Sequence, residues 1–200
     1  MTGYSYVVAR DYGFAPNPFG GICSLATCKP GIRRAAQTGD WVFGTGSATR
    51  GQRGHLVFAM NVDEKLSFNQ YWNDPRFRYK RPVMNGSLKK MYGDNIYFHD
   101  GMNWIQSDSH HSLEDGTVNS RNLKTDTSSD AVLLASDFYY LGCQPTPTAL
   151  SDYVVKTGPG HRNVYSPILD DFVRWIRKTH QPGITAEPSQ FAIFQRFRGP

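Results

Sequence analysis

Asp40-Trp41-Val42-Phe43-Gly44-Thr45-Gly46 and His55-Leu56-Val57-Phe58-Ala59-Met60-Asn61-Val62 form the clearest strand pair in the chain, joined by the glycine-rich basic loop from Ser47 to Gly54. The second run is almost continuously apolar, which implies burial on both faces. Around this pair the same reading predicts strands over Tyr4–Ala9, Ile22–Thr27, Ala131–Tyr140 and Gln190–Phe197. It also predicts a hairpin, Asn95–His99 with Asn103–Gln106, turning at Asp100-Gly101. One helix is fully signalled: Ser166 as N-cap, Pro167 at the first position, Asp170 and Asp171 early, Arg174, Arg177 and Lys178 late. Ile168, Leu169, Phe172, Val173 and Ile176 supply its apolar stripe. Shorter helical turns are expected over Gly31–Ala36 and Ser67–Asp74. The expectation is an α+β fold: a compact mixed or antiparallel β-barrel with one C-terminal helix and short peripheral helices. Residues 1–200 read as a single domain with a long polar insertion at about 107–130.

Composition narrows the class. The chain has 200 residues, 39% hydrophobic and 20% charged, so it can bury a core and is neither a disordered tail nor a coiled coil. Aromatics are abundant, with 12 Phe, 11 Tyr and 4 Trp, and 19 Gly with 12 Pro suit short strands and tight turns. No apolar run reaches membrane-spanning length, and the first residues lack a signal-peptide pattern, so no membrane partner and a cytoplasmic location are expected. A net charge of +5 permits a polyanionic partner without demanding one. Three cysteines without CxxC spacing argue against a disulfide framework, and Cys23, Cys28 and Cys143 read as small buried hydrophobes.

Four stretches could carry chemistry. The 44–54 loop can turn backbone N–H groups toward an anion, with Arg50 and Arg53 adding charge, or it is a solvated hairpin loop. It is not a Walker A loop, because no Gly-Lys-Ser/Thr closes it. Asp108-Ser109-His110-His111-Ser112, continuing through Asn119, Asn122 and Asp126, suits acid–base work or contact with a small polar ligand. Strand alternation would admit only one of the two histidines to a given site. The spacing matches no usual zinc pair, so neither a metal nor another cofactor is expected; a polar loop that organises its own turns is the plain alternative. Asn95 and Tyr97 could read and stack on a base, and Gly160-His161-Arg162 could hold a phosphate.

Two resemblances follow from these residues. Thr38 to Gly46 with His55 to Val62, followed by Tyr71-Trp72-Asn73-Asp74-Pro75, resembles the PUA-like superfamily of EVE, ASCH and YTH domains. The whole chain more closely resembles the second type of the nucleotide modification associated domain of bacteria and phages. The segments that carry the likeness are Tyr6 to Pro18, Gly39-Asp40-Trp41, Gly93 to Tyr97 and Asp108 to Ser112. That resemblance implies an association with DNA base modification and transfers no catalytic residue.

Three functions remain open at this point. The first is binding of a nucleotide or modified nucleobase, free or in DNA, through Asp11, Tyr12, Asn17, Trp41, Asn95, Tyr97 and His111 with Asp108 and His110. The second is an enzyme acting on a nucleotide, with His110 or His111 as acid–base group oriented by Asp108. The third is an interaction protein using the basic loop and Gln195-Arg196-Phe197-Arg198 against an acidic partner. The firmest expectation is that Asp11, Asn95, Asp108 and His110 converge on one pocket beside Trp41.

Overall fold

The computed structural model describes residues 1–147, 156 and 158–197. Strands run β1 Gly3–Val8, β2 Cys23–Leu25, β3 Trp41–Gly46, β4 His55–Asn61, β5 Glu64–Leu66, β6 Tyr97–His99, β7 Trp104–Gln106, β8 Val132–Ala135, β9 Phe138–Tyr140, β10 Thr146–Pro147, β11 Arg162–Val164 and β12 Gly183–Ile184. Helices are α1 Pro30–Ala35, α2 Phe68–Asn73, α3 Leu88–Met91, α4 Ser120–Asp126 and α5 Ile168–Thr179.

The pair β3–β4 is antiparallel, with Trp41 opposite Asn61 and Phe43 opposite Ala59, and it sits at the centre of a seven-stranded sheet. The sheet order is β11-β1-β3-β4-β9-β12, with β10 against the start of β4. β1 lies parallel to β3, from Gly3 beside Trp41 to Val8 beside Gly46. Close packing explains Gly44: a Cβ there would stand 2.4 Å from Val8 Cγ2 and 2.5 Å from Phe58 Cε1.

Period-two alternation divides the core into layers. Trp41, Phe43, Ala59 and Tyr139 face α5, whose Leu169, Phe172 and Ile176 close that side. Tyr4, Tyr6, Val8, Val42, Phe58 and Met60 face the opposite way, onto Cys23, Leu25, Leu133 and Ala135 of the three-stranded sheet β2-β8-β5. The far face of that small sheet, with Val132 and Leu134, packs on Phe68, Tyr71, Phe77, Tyr92 and Tyr97.

Four expectations are corrected and one is left without support. The single strand over 131–140 is two strands: Ser136-Asp137 breaks it, and β8 joins the small sheet while β9 joins the large one. That division layers two sheets. No pairing among the described residues closes the large sheet into a barrel, which leaves the barrel and the PUA-like architecture without support in this topology. Gln190–Phe197 is not a strand; its backbone is met by other groups, with Gln195 N–H donating to Tyr92 Oη at 3.0 Å and Phe197 N–H to the His110 carbonyl at 2.6 Å. The 107–130 stretch is less irregular than it reads, because Asn119 caps α4 by accepting from Asn122 N–H at 3.2 Å. The main helix begins one residue later than its signals place it, with Pro167 at the cap. No helix among the described residues is long and apolar enough to cross a membrane.

Candidate functional site

A cavity of about 810 Å³ opens where the end of β1, the β3–β4 loop, the segment before α1 and α4 meet. That volume falls within the range of small-molecule sites. Tyr6, Tyr12, Phe14 and Phe197 contribute rings. Arg10, Lys29, Arg53, Arg121 and Lys156 bring five cations, and Asp126 is the one acid among the described lining residues. Charge of this kind favours an anionic ligand. α4 presents Arg121, Asn122, Thr125 and Asp126 to the cavity, positions that share one helix face.

Three side chains distant in sequence are stacked along one wall. Cys28 Sγ lies 3.8 Å from His111 Nε2, and His111 Nδ1 lies 2.8 Å from Asp126 Oδ2. Tyr97 Oη–H donates to the same carboxylate oxygen at 2.8 Å, and Cys28 N–H donates to Asp126 Oδ1 at 2.7 Å. Arg33, fully buried, ties the two segments together. Its guanidinium donates to the carbonyls of Cys28 at 2.8 Å, Ser129 at 2.8 Å, Ala131 at 2.5 Å and Asp126 at 2.5 Å. Cys28 and Lys29 both hold left-handed backbone, with φ of 56° and 41°, so the turn that presents the thiol is strained.

The electrostatics of the two adjacent histidines differ in sign. Burial by itself would push the His111 imidazolium to lower pKa, but the Asp126 carboxylate, and after it Cys28, raise it well above the ordinary value. Burial also opposes the charged form of Asp126, and His111 with Arg33 outweighs it, holding the carboxyl below the usual range. His110 has no carboxylate partner. Burial first, then the charge on His111, depress it from 6.5 to about 3. Its Nδ1 contacts the Gln195 carbonyl, which can only accept, so Nδ1 carries the proton. The ring is fixed by Tyr12 and Phe14, each with centroids at 4.9 Å.

The thiol, the imidazole and the carboxylate form one contiguous relay, the set of groups that a thiol nucleophile can use. Among the described residues no three His, Cys, Asp or Glu side chains converge on a point a metal ion could occupy. The family model of nucleotide modification associated domain 2 matches residues 1–195. The chain belongs to that family. No curated protein and no solved structure matches it. The family's description associates this member with nucleotide modification.

Of the residues singled out from sequence, Tyr12, Arg53, His110, His111, Asn122 and Asp126 line the cavity. Both histidines do so because 107–113 is a chain of bends and turns, not a strand with alternating faces. Tyr97 stands behind the relay through Asp126. The others lie elsewhere, so the expected convergence of Asp11, Asn95, Asp108 and His110 is not what the structure forms. Asp11 is buried, accepting from Ser189 N–H at 2.9 Å and from Tyr140 Oη–H. Asn17 bonds Lys80 Nζ at 2.8 Å, and Asn95 donates to the carbonyls of Tyr71 and Phe77 at 3.0 and 3.2 Å, leaving Asn95 Oδ1 unpartnered. Trp41 packs against Phe172 under α5. Asp108 pairs with Arg196 at 2.6 Å and does not orient His110. Arg50 reaches Ser189 Oγ at 3.2 Å, away from the cavity. Arg196 is taken up by that pair with Asp108, and Arg198 lies outside the described residues. Cys28 escaped sequence reasoning, since 83 residues separate it from His111.

Proposed function

We propose that the cavity receives a nucleotide, free or as a base extruded from DNA, and that Cys28 forms a covalent adduct with its base. The carrying observation is the placement of Cys28 Sγ 3.8 Å from His111 Nε2, inside a cavity lined by cations and rings. His111, held as the imidazolium by the Asp126 carboxylate beside Nδ1, donates Nε2–H to the Cys28 sulfur, so the sulfur reacts as the thiolate of an ion pair. The sulfur adds to an electrophilic carbon of a C=C or C=N bond in the base. The displaced π pair moves to the neighbouring atom, which takes the Nε2 proton from the His111 imidazolium. Cations at the mouth suit phosphate, and rings suit the faces of a base. The family association supports a nucleotide as the substrate class.

Of the two histidines, this reading gives the acid–base role to His111, with Asp126 in place of Asp108. The test is intact-protein and product mass spectrometry after incubation with nucleotides and with DNA. The expected result is an adduct or altered base with the wild type and none with Cys28→Ala, while Cys28→Ala retains nucleotide binding. Modification at the wild-type rate by Cys28→Ala would sink the thiol mechanism. Binding without chemistry is the second reading, favoured by the Asp126 network, whose hydrogen bonds are complete without any ligand. Tight binding with no adduct or product would select it.

A further inference from the structure

His110 and Asn122 both line the cavity, and the hydrogen-bond accounting of each leaves one atom over. His110 Nδ1–H is committed to the Gln195 carbonyl, so Nε2 holds a lone pair and no proton. No described residue donates to it. Asn122 is nearly as constrained. Its Nδ2 donates to the carbonyls of His111 at 2.9 Å and Phe197 at 3.1 Å, which uses both amide hydrogens. The reverse orientation of the amide would set Oδ1 against two carbonyl oxygens, so chemistry fixes Oδ1 as the unpartnered end. Two neutral acceptors therefore remain at a cavity whose charged groups are nearly all cations. Cations meet phosphate. They do not explain the acceptors, because an anion cannot satisfy a lone pair.

The ring environment sharpens the point. Tyr12, whose ring lies against His110, has its Oη–H already spent on Gln195 Oε1 at 2.7 Å. His110 is 3% exposed and enclosed by Tyr12, Phe14, Tyr92 and Phe197, so water reaches it poorly when the cavity fills. A ligand that fills this end without donating would leave the acceptor unsatisfied, and such sites reject that ligand strongly.

Building on the nucleotide reading of this cavity, we propose that His110 is the specificity-determining residue: Nε2 accepts an N–H from the edge of the bound base, with Asn122 Oδ1 as a second acceptor. The ligand class is then a nucleobase that turns ring or exocyclic N–H donors inward. The depressed basicity of His110 serves this role, since a protonated Nε2 would be a donor and would invert the preference.

The test is calorimetric titration with guanosine, adenosine, cytidine and thymidine 5′-monophosphates, each beside the analogue whose edge N–H groups are methylated. In the wild type at least one parent nucleotide should bind roughly tenfold or more tighter than its methylated analogue. His110→Asn retains a donor toward the Gln195 carbonyl and lacks the Nε2 acceptor, so it should reduce that gap to about twofold or less. Equal binding of parents and analogues by the wild type overturns the assignment of His110 and leaves the nucleotide reading intact. An undiminished gap in folded His110→Asn means that the penalty is steric, and it overturns the assignment as well. Failure of every nucleotide to bind removes the nucleotide reading itself, and this inference with it.

Discussion

Two histidines that are neighbours in sequence should shape opposite limbs of the pH–stability curve, and His110 sets the acid limb. Its imidazole falls from 6.5 when unfolded to about 3 in the folded protein, chiefly through burial. Between those values the unfolded chain binds a proton that the folded chain refuses, so stability falls as pH falls. Each unit corresponds to about 1.4 kcal/mol, so acidification from pH 7 to pH 4 should cost about 3 kcal/mol through this residue alone. The perturbation is His110→Phe, a ring placed among Tyr12, Phe14 and Tyr92 that cannot protonate. It loses the bond to Gln195, which is a constant offset with no pH dependence. The assay is urea denaturation of both proteins from pH 7 to pH 4, read as the difference between them, in which the buried carboxylates cancel. Wild type should lose about 3 kcal/mol relative to the variant over that range. Parallel curves would refute the buried, neutral state assigned to His110. On the alkaline side His111 works the other way. Its folded value is raised, so its contribution is full below 6.5 and is lost as pH climbs toward that raised value.

Other outcomes follow from the same contacts. In a Cys143→Ser background, iodoacetamide should label Cys28 selectively, because Cys23 is fully buried and its thiol is pushed up to about 12. Adding His111→Phe should slow labelling at pH 7 by roughly tenfold or more, and an unchanged rate by peptide mapping would mean that the 3.8 Å contact does not activate the thiol. Arg33→Lys cannot reach the four carbonyls that the guanidinium joins, and should cost about 2–5 kcal/mol in chemical denaturation; a loss below about 1 kcal/mol would contradict its bridging role. Arg53→Gln should weaken nucleotide binding several-fold and flatten its salt dependence, whereas Arg50→Gln, off the cavity, should leave both unchanged in the same titration.

The central strands were legible because their signal is dense: β3 is buried along its whole length and β4 along its centre, so both read as apolar runs. The hairpin was legible from its turn, where Asp100 Oδ1 accepts from Met102 N–H and Asn103 N–H at 2.8 Å each. The division of 131–140 was not, because β8 and β9 are apolar on both faces and periodicity cannot show that two such runs belong to different sheets. α4 hid for the opposite reason. A helix whose inward face carries Arg121, Asn122, Thr125 and Asp126 toward the cavity has no apolar stripe to read. The C-terminal stretch is rich in Phe and Ile like a strand, but Phe191 and Phe194 pack onto the aromatic cluster from an irregular backbone.

The site itself was half legible, and the missing half has a physical cause. His110, His111 and Asp126 stand in one polar run, and a concentration of titratable groups is visible without a fold. Their roles are not, because those depend on which group approaches across the chain. Asp126 meets His111 only because α4 turns it inward, and Cys28 meets both only because Arg33 clamps the segment before α1 to the carbonyls around Asp126 and Ala131. That clamp also explains how adjacent imidazoles diverge. The carboxylate reaches Nδ1 of His111 and charges it, and that charge, added to burial, keeps His110 neutral. One buried aspartate thus sets a cationic partner for the sulfur and, one residue away, an uncharged lone pair for the base. Removing the carboxylate with Asp126→Asn should therefore lower His111 and relax His110 together, so loss of thiol labelling and loss of base discrimination should appear in the same variant.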